Sequence, residues 1–243
     1  MWENSELKQK AKQVLSRFGY WTPFLATILC GLLMTDPSNI LSVMSENGGF
    51  ESLFENEEFA YYFSIVFLFF VIFSFFFNIF VGYPVLVGMN RFFMENRVSG
   101  SKVERIFWVF KSGKYLNVVK TMFLMNLKIF LWSLLFIIPG IIKSYQYYMI
   151  PYILAENPGI DPKRAFELSK EMTDGEKFDI FWLGLSFIGW ILLGTLACGI
   201  GVLFVEPYIQ ATFAELYQVM RDKVHNSGFS DYSELPGFFP EQK

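Results

Sequence analysis

The chain has 243 residues, of which 53% are hydrophobic, 20% aromatic and 18% charged, with 30 Phe, 12 Tyr and 6 Trp. A net charge of −3 and a pI near 5.3 provide no global basic field for nucleic acid. One histidine and two cysteines, both inside apolar runs, are too few for a typical zinc site or a disulfide framework.

The N-terminal 18 residues predict an amphipathic helix. Leu7, Ala11, Val14, Leu15 and Phe18 form one stripe, and Lys8, Lys10 and Lys12 lie off it. A basic helix of this kind lies in the membrane interface or packs under a bundle, and the pattern suits both. Tyr20 to Met34 is the first apolar run, with Tyr20 and Trp21 suited to the headgroup level. No small-x-small cleavage pattern follows Met34, so the run is expected to be retained rather than removed as a signal peptide.

Phe59 to Phe80 is the second run, with nine phenylalanines between Phe63 and Phe80 and no charge there. It is expected to continue towards Asn90 and Arg91 with a kink at Pro84. Val118 to Ala155 would extend about 57 Å as one helix, against a bilayer core of about 30 Å. Pro139 and Gly140 therefore predict a hairpin turn, and Gly199 and Gly201 predict another in the run from Ile180 to Met220. The fold class is thus all-α: a polytopic membrane bundle of six transmembrane helices in three hairpins, each preceded by a cytoplasmic amphipathic helix. Four crossings with re-entrant hairpins is the alternative count.

Charge placement gives the orientation. Residues 35–58 carry six acids (Asp36, Glu46, Glu51, Glu55, Glu57, Glu58) and no Lys or Arg, whereas seven bases lie between Arg91 and Lys120. Lys163, Arg164, Lys170 and Lys177 separate the fourth and fifth crossings. The positive-inside rule places the basic stretches and both termini in the cytoplasm and the acidic loop outside. The expected organisation is an interfacial helix over 1–18 and a six-helix domain over 19–223. That domain includes an outer loop over 35–58 and cytoplasmic helical segments over 95–117 and 156–178. A cytoplasmic tail over 224–243 follows. Ser101-Lys102-Val103-Glu104 reads as a capping box, and Asp161-Pro162 as an N-cap followed by Pro at the first helical position.

The second and third hairpin units share detail, which predicts an internal repeat. Trp132-Ser-Leu-Leu is echoed by Trp190-Ile-Leu-Leu, and Pro151-Tyr152-Ile153-Leu154-Ala155 by Pro207-Tyr208-Ile209-Gln210-Ala211. Chance similarity between apolar runs is the competing explanation.

Ile138-Pro139-Gly140-Ile-Ile-Lys143-Ser-Tyr145, Tyr152 to Pro158, and Ser169-Lys170-x-Met172-x-x-Gly175-x-Lys177 carry a family pattern. So do Leu185-Ser186-Phe187-Ile188-Gly189-Trp190 and Pro207-Tyr208-Ile209. With these segments the chain resembles, over nearly its whole length, the bacterial integral-membrane family catalogued as domain of unknown function 975. The resemblance implies a membrane location and no activity, so it assigns no functional residues.

No phosphate loop, metal-ligand spacing or nucleophile elbow is present, so a catalytic role, a cofactor and a metal are not expected. His225, among Asn226, Ser227 and Gly228, reads as a solvated tail residue. Four charges fall inside apolar runs: Lys128, Glu215, Lys143 and Glu206. Lys128 and Glu215 come at about 18 Å and 21 Å below the outer ends, and Lys143 and Glu206 form a shallower set. They are candidate buried polar or ion-pair residues, with Lys128 facing Glu215 as the expected pair. Charges at such positions either fix packing or line a path.

A non-enzymatic transport, channel or export-accessory component of the plasma membrane is the leading functional expectation. A membrane scaffold that recruits another membrane protein is second, and an intramembrane or lipid-modifying enzyme third. The expected partners are the bilayer and anionic lipid at the basic helices, with another membrane protein under the scaffold reading.

Overall fold

The computed structural model describes residues 2–34, 57–196 and 200–238, and its regular elements are all helical. In chain order they are α1 (Asn4–Phe18), α2 (Trp21–Met34), α3 (Glu57–Phe77), α4 (Tyr83–Asn96), α5 (Trp108–Lys111) and α6 (Tyr115–Leu135). There follow α7 (Ile137–Gln146), α8 (Ile150–Glu156), α9 (Pro162–Met172), α10 (Lys177–Leu185), α11 (Ile188–Leu196) and α12 (Ile200–Asn226). The stretches Tyr61–Asn96, Tyr115–Leu135 and Lys177–Leu196 are long and apolar enough to cross a membrane, and Trp21–Gly31 is a shorter apolar helix. Most of the loop over 35–58 lies outside the described residues.

The stripe of α1 is buried against α12 through Leu7, Ala11 and Leu15, while Lys10 and Lys12 stay exposed. The helix thus packs against the bundle. Helices α3 and α4 join through a π-helical turn over Asn78–Gly82, in which the Tyr83 N–H reaches the Asn78 carbonyl. The cause is Pro84, which has no N–H for the Phe80 carbonyl four residues back. The Tyr115 hydroxyl donates to that carbonyl instead, at 2.6 Å.

The turn expected at Pro139 and Gly140 is displaced. The chain breaks at Phe136, an extended residue (φ −156°, ψ 146°), and Pro139 and Gly140 fall within α7. Proline is tolerated in a first turn because its missing N–H would be unpaired there anyway. Gly140 acts by size instead: a Cβ there would lie 2.2 Å from Ser133 Oγ and 2.8 Å from Ser133 Cα, so α7 could not close on α6.

The pair α11 and α12 follows the same rule. Gly201 is inside α12, and a Cβ on it would meet Gly194 Cα of α11 at 2.7 Å. Gly199 lies outside the described residues. In both helix pairs a small residue seven positions earlier, Ser133 or Gly194, receives the glycine.

The Asp161 cap is formed: its Oδ1 accepts the amides of Lys163 at 2.8 Å and Arg164 at 3.4 Å. Gly175 (φ +78°) follows α9 in a left-handed conformation open to glycine. The capping box at Ser101 is not formed. The Ser101 hydroxyl donates to Glu95 and its amide to Asn96, and a 3₁₀ turn over Val103–Phe107 begins without a side-chain cap.

The core sits at one end of the molecule. Phe92, Phe93, Met94, Ile153, Leu154, Met172, Leu216, Tyr217 and Met220 are buried where α4, α8, α9 and α12 meet. The other end exposes apolar side chains: Phe69 is 70% exposed, Leu134 73% and Ile137 77%.

Candidate functional site

Glu206 lies on α12 one residue before Pro207, whose missing N–H frees the Leu203 carbonyl of the preceding turn. The neighbouring Phe204 carbonyl accepts the Tyr20 hydroxyl. Glu206 lines a cavity of about 320 Å³ between α2, α4 and α12, with Thr27, Cys30, Leu86, Met89, Leu203 and Gln210. Its Oε1 accepts from Gln210 Nε2 at 2.7 Å. Among the described residues no cationic group stands within ion-pair distance of this carboxylate.

Towards the core, a layer of paired charges closes the site. Arg97 grips Glu215 through both carboxylate oxygens, at 2.7 Å and 3.0 Å, and donates to Gln218 at 3.0 Å. The two side chains are 19% and 6% exposed, so this is a planar, largely desolvated pair. Arg91 binds Glu95 at 2.7 Å and the Ala155 carbonyl at 2.9 Å, with its guanidinium 3.7 Å from the Trp108 ring centroid. Glu156, whose side chain is 1% exposed, accepts from the Tyr217 hydroxyl at 2.6 Å, from Arg221 at 3.5 Å and from the Gly237 amide.

The C-terminal segment straps this layer. Leu235 is fully buried, and Arg164 of α9 holds Glu234 at 2.7 Å and 3.1 Å. Gly237 (φ +76°) has no room for a Cβ, which would lie 2.4 Å from Arg221 Nη1. The segment over 224–238 is therefore folded onto the bundle. His225 is corrected with it: the residue belongs to α12, its ring lies 4.5 Å from that of Tyr232, and both ring nitrogens are buried.

Arg164 is pushed up from its ordinary value by its hydrogen bond to Glu234. Asp231 is held below its own by the Ser233 hydroxyl and the amides of Glu234 and Ser233. Among the described residues no group of three His, Cys, Asp or Glu side chains could hold a metal ion.

The four candidates from the apolar runs do not pair as expected. Glu215 faces Arg97, while exposed Lys128 holds its ammonium 3.5 Å from the Phe166 ring centroid. Helix α6 packs on α7, α4 and α9, which turns Lys128 towards α9. Lys143 donates to Gln146 at 2.8 Å and lies near Trp132, so it does not reach Glu206. The sequence reading ordered these charges by depth alone, and depth carries no information about azimuth. Sequence reasoning missed Arg91, Arg97, Glu156 and Arg221. Only the four-residue spacing of Arg91 and Glu95 was a local signal for any of them.

Residues 134–223 match the model of a family described as "Protein of unknown function (DUF975)". The segments that carry the resemblance lie inside this match, which is shorter than the near-complete length expected for it. Glu156, Glu206, Glu215 and Arg221 fall within the matched stretch, and Arg91 and Arg97 precede it. No curated protein and no solved structure matches the chain.

Proposed function

We propose that this chain, with its DUF975 stretch, is a multi-pass plasma-membrane protein acting as a non-enzymatic transport or export-accessory component. The proposed crossings are six: α2, α3 with α4, α6, α7 with α8, α10 with α11, and α12, with both termini cytoplasmic. The exposed apolar half, the basic segments near the core and the acid-rich sequence between α2 and α3 support this placement.

The observation that carries the functional reading is Glu206, a carboxylate without a cationic partner among the described residues, facing a cavity between three helices. An ionisable group within a membrane-spanning helix is costly unless it serves a path or a bound cation. The reading is that Glu206 takes up and releases a proton or a monovalent cation, with Gln210 orienting its carboxylate.

Purified protein in liposomes under a pH or potassium gradient tests this. Flux is expected with the unaltered chain and should be lost in Glu206→Gln with the thermal unfolding profile retained. No flux of either ion, or equal flux in the variant, contradicts the reading. A scaffold role is favoured by a different observation, the exposure of Phe69, Phe73, Phe75 and Phe76 on α3. That role predicts a stoichiometric membrane partner on isolation in mild detergent.

A further inference from the structure

A second cavity, of about 490 Å³, separates α1 from the last hairpin and is lined mainly by Leu15, Trp190, Phe204 and Val205, with Lys12 at its α1 side. This volume falls in the range of about 300–1,000 Å³ typical of small-molecule sites. Two of the three hydroxyl-bearing side chains on its wall bond to the backbone: Ser16 donates to the Gln13 carbonyl at 2.9 Å and Tyr20 to the Phe204 carbonyl, and Tyr208 is the third. The lysines of α1 divide by partner. Lys10 pairs with Glu6 at 2.7 Å, and Lys8 donates to the Ser186 carbonyl at 3.2 Å above the Phe187 ring. Lys12 has only the Tyr208 ring, 5.6 Å away, and no carboxylate within ion-pair distance among the described residues. Lys8, Lys10, Lys12 and Arg17 against Glu3 and Glu6 leave α1 and its N-cap at +2.

We propose that this groove is a binding site for one anionic phospholipid, with an acyl chain along Leu15, Trp190, Phe204 and Val205 and the phosphate at Lys12. The proposal rests on the membrane placement above but not on transport through Glu206. The occupant follows from the walls: an apolar slot open to the proposed lipid region, ending at an ammonium without a carboxylate on a net-basic helix. An apolar chain fills the slot, and a negative headgroup complements the ammonium. The groove would then hold α1 to α11 and α12 through a bound lipid as well as through direct packing.

Native mass spectrometry tests the site on full-length protein exchanged into detergent with equal phosphatidylglycerol and phosphatidylcholine. One retained phosphatidylglycerol per chain is expected. Lys12→Glu should lower the preference for phosphatidylglycerol about tenfold, whereas Lys10→Glu, with the same charge change outside the slot, should alter it less than about twofold. Val205→Trp, which fills the slot, should abolish retention of either lipid while circular dichroism shows a folded chain. If Val205→Trp does not fold, Lys12→Glu against Lys10→Glu decides alone. No retained lipid, equal effects of the two lysine variants, or retention by folded Val205→Trp overturns the site. Vesicle flotation separates the two levels. A chain that floats with phosphatidylcholine alone yet retains no lipid loses only the groove, whereas one that floats with no vesicle loses the membrane placement.

Discussion

Helices α3 and α4 are one continuous rod divided by a π-helical turn, and its two halves live in opposite surroundings. On α3, Phe69, Phe73, Phe75 and Phe76 are each more than half exposed. On α4, Val85, Val87, Phe92, Phe93 and Met94 are buried around Arg91 and Asn90. The more apolar half is the less buried one, the reverse of a water-soluble helix. The contrast teaches where packing specificity lies. An aromatic surface that meets lipid needs only to be apolar, whereas a surface that surrounds paired charges must match its neighbours atom by atom.

The sharpest break of this contrast is the removal of one charge from the packed half. Glu215→Leu leaves Arg97 unpaired and should cost about 3–5 kcal/mol, while Arg97→Met with Glu215→Leu should be near neutral. Thermal or denaturant unfolding in detergent gives both values. Lys128→Met combined with Glu215→Leu should be additive within about 0.5 kcal/mol, since the two side chains share no contact.

Glycine substitutions sharpen the comparison at the backbone. A Cβ on Gly88 of α4 would sit 1.8 Å from the Ile106 carbonyl oxygen, so Gly88→Ala should destabilise by about 3 kcal/mol or more. Gly189 of α11 has nothing within 4 Å of its would-be Cβ, and Gly189→Ala should be neutral or stabilising by up to about 1 kcal/mol. Equal effects at the two sites in unfolding measurements would remove the distinction. Smaller still is Phe69→Leu on α3, expected within about 0.5 kcal/mol of the unaltered chain.

The least effect is expected at the strap, and it depends on pH. Asp231 has a folded-state value below its ordinary one, so its contribution is present above the ordinary value of about 3.9 and is lost as pH falls through the lower folded value. Hydrogen exchange at the Ser233 and Glu234 amides should therefore gain protection, relative to Asp231→Asn, only at pH values above that transition. Identical protection in both chains across the range would contradict the assignment.

Local patterns were legible in the sequence wherever one segment decides the outcome alone. The stripe of Leu7, Ala11 and Leu15 and the Asp161 cap are read from spacing because their partners lie within a few residues or on one broad face. Pro139 shows the limit. Proline both starts and ends helices, and the break fell at Phe136 because α7 could use Pro139 in its first turn. The charge partners were less legible again. Glu215 is 118 residues from Arg97, and which face of α12 meets α4 is set by packing of many side chains. Arg97 had been counted only as a positive charge in a cytoplasmic loop, a role that positive-inside reasoning cannot distinguish from an internal ion pair.

The proposed placement of one half of the rod in lipid and the other in a cytoplasm-facing core has a direct measurement. Single cysteines placed from position 63 to position 111 in a chain with Cys30 and Cys198 replaced by alanine are exposed to a membrane-impermeant maleimide, in intact cells and in inverted membrane vesicles. No labelling from either side is expected between Phe63 and Phe80, and labelling at Lys102 and Lys111 is expected only in inverted vesicles. Labelling of Phe69 or Phe73 in intact cells, or of Lys111 from outside, would contradict the account.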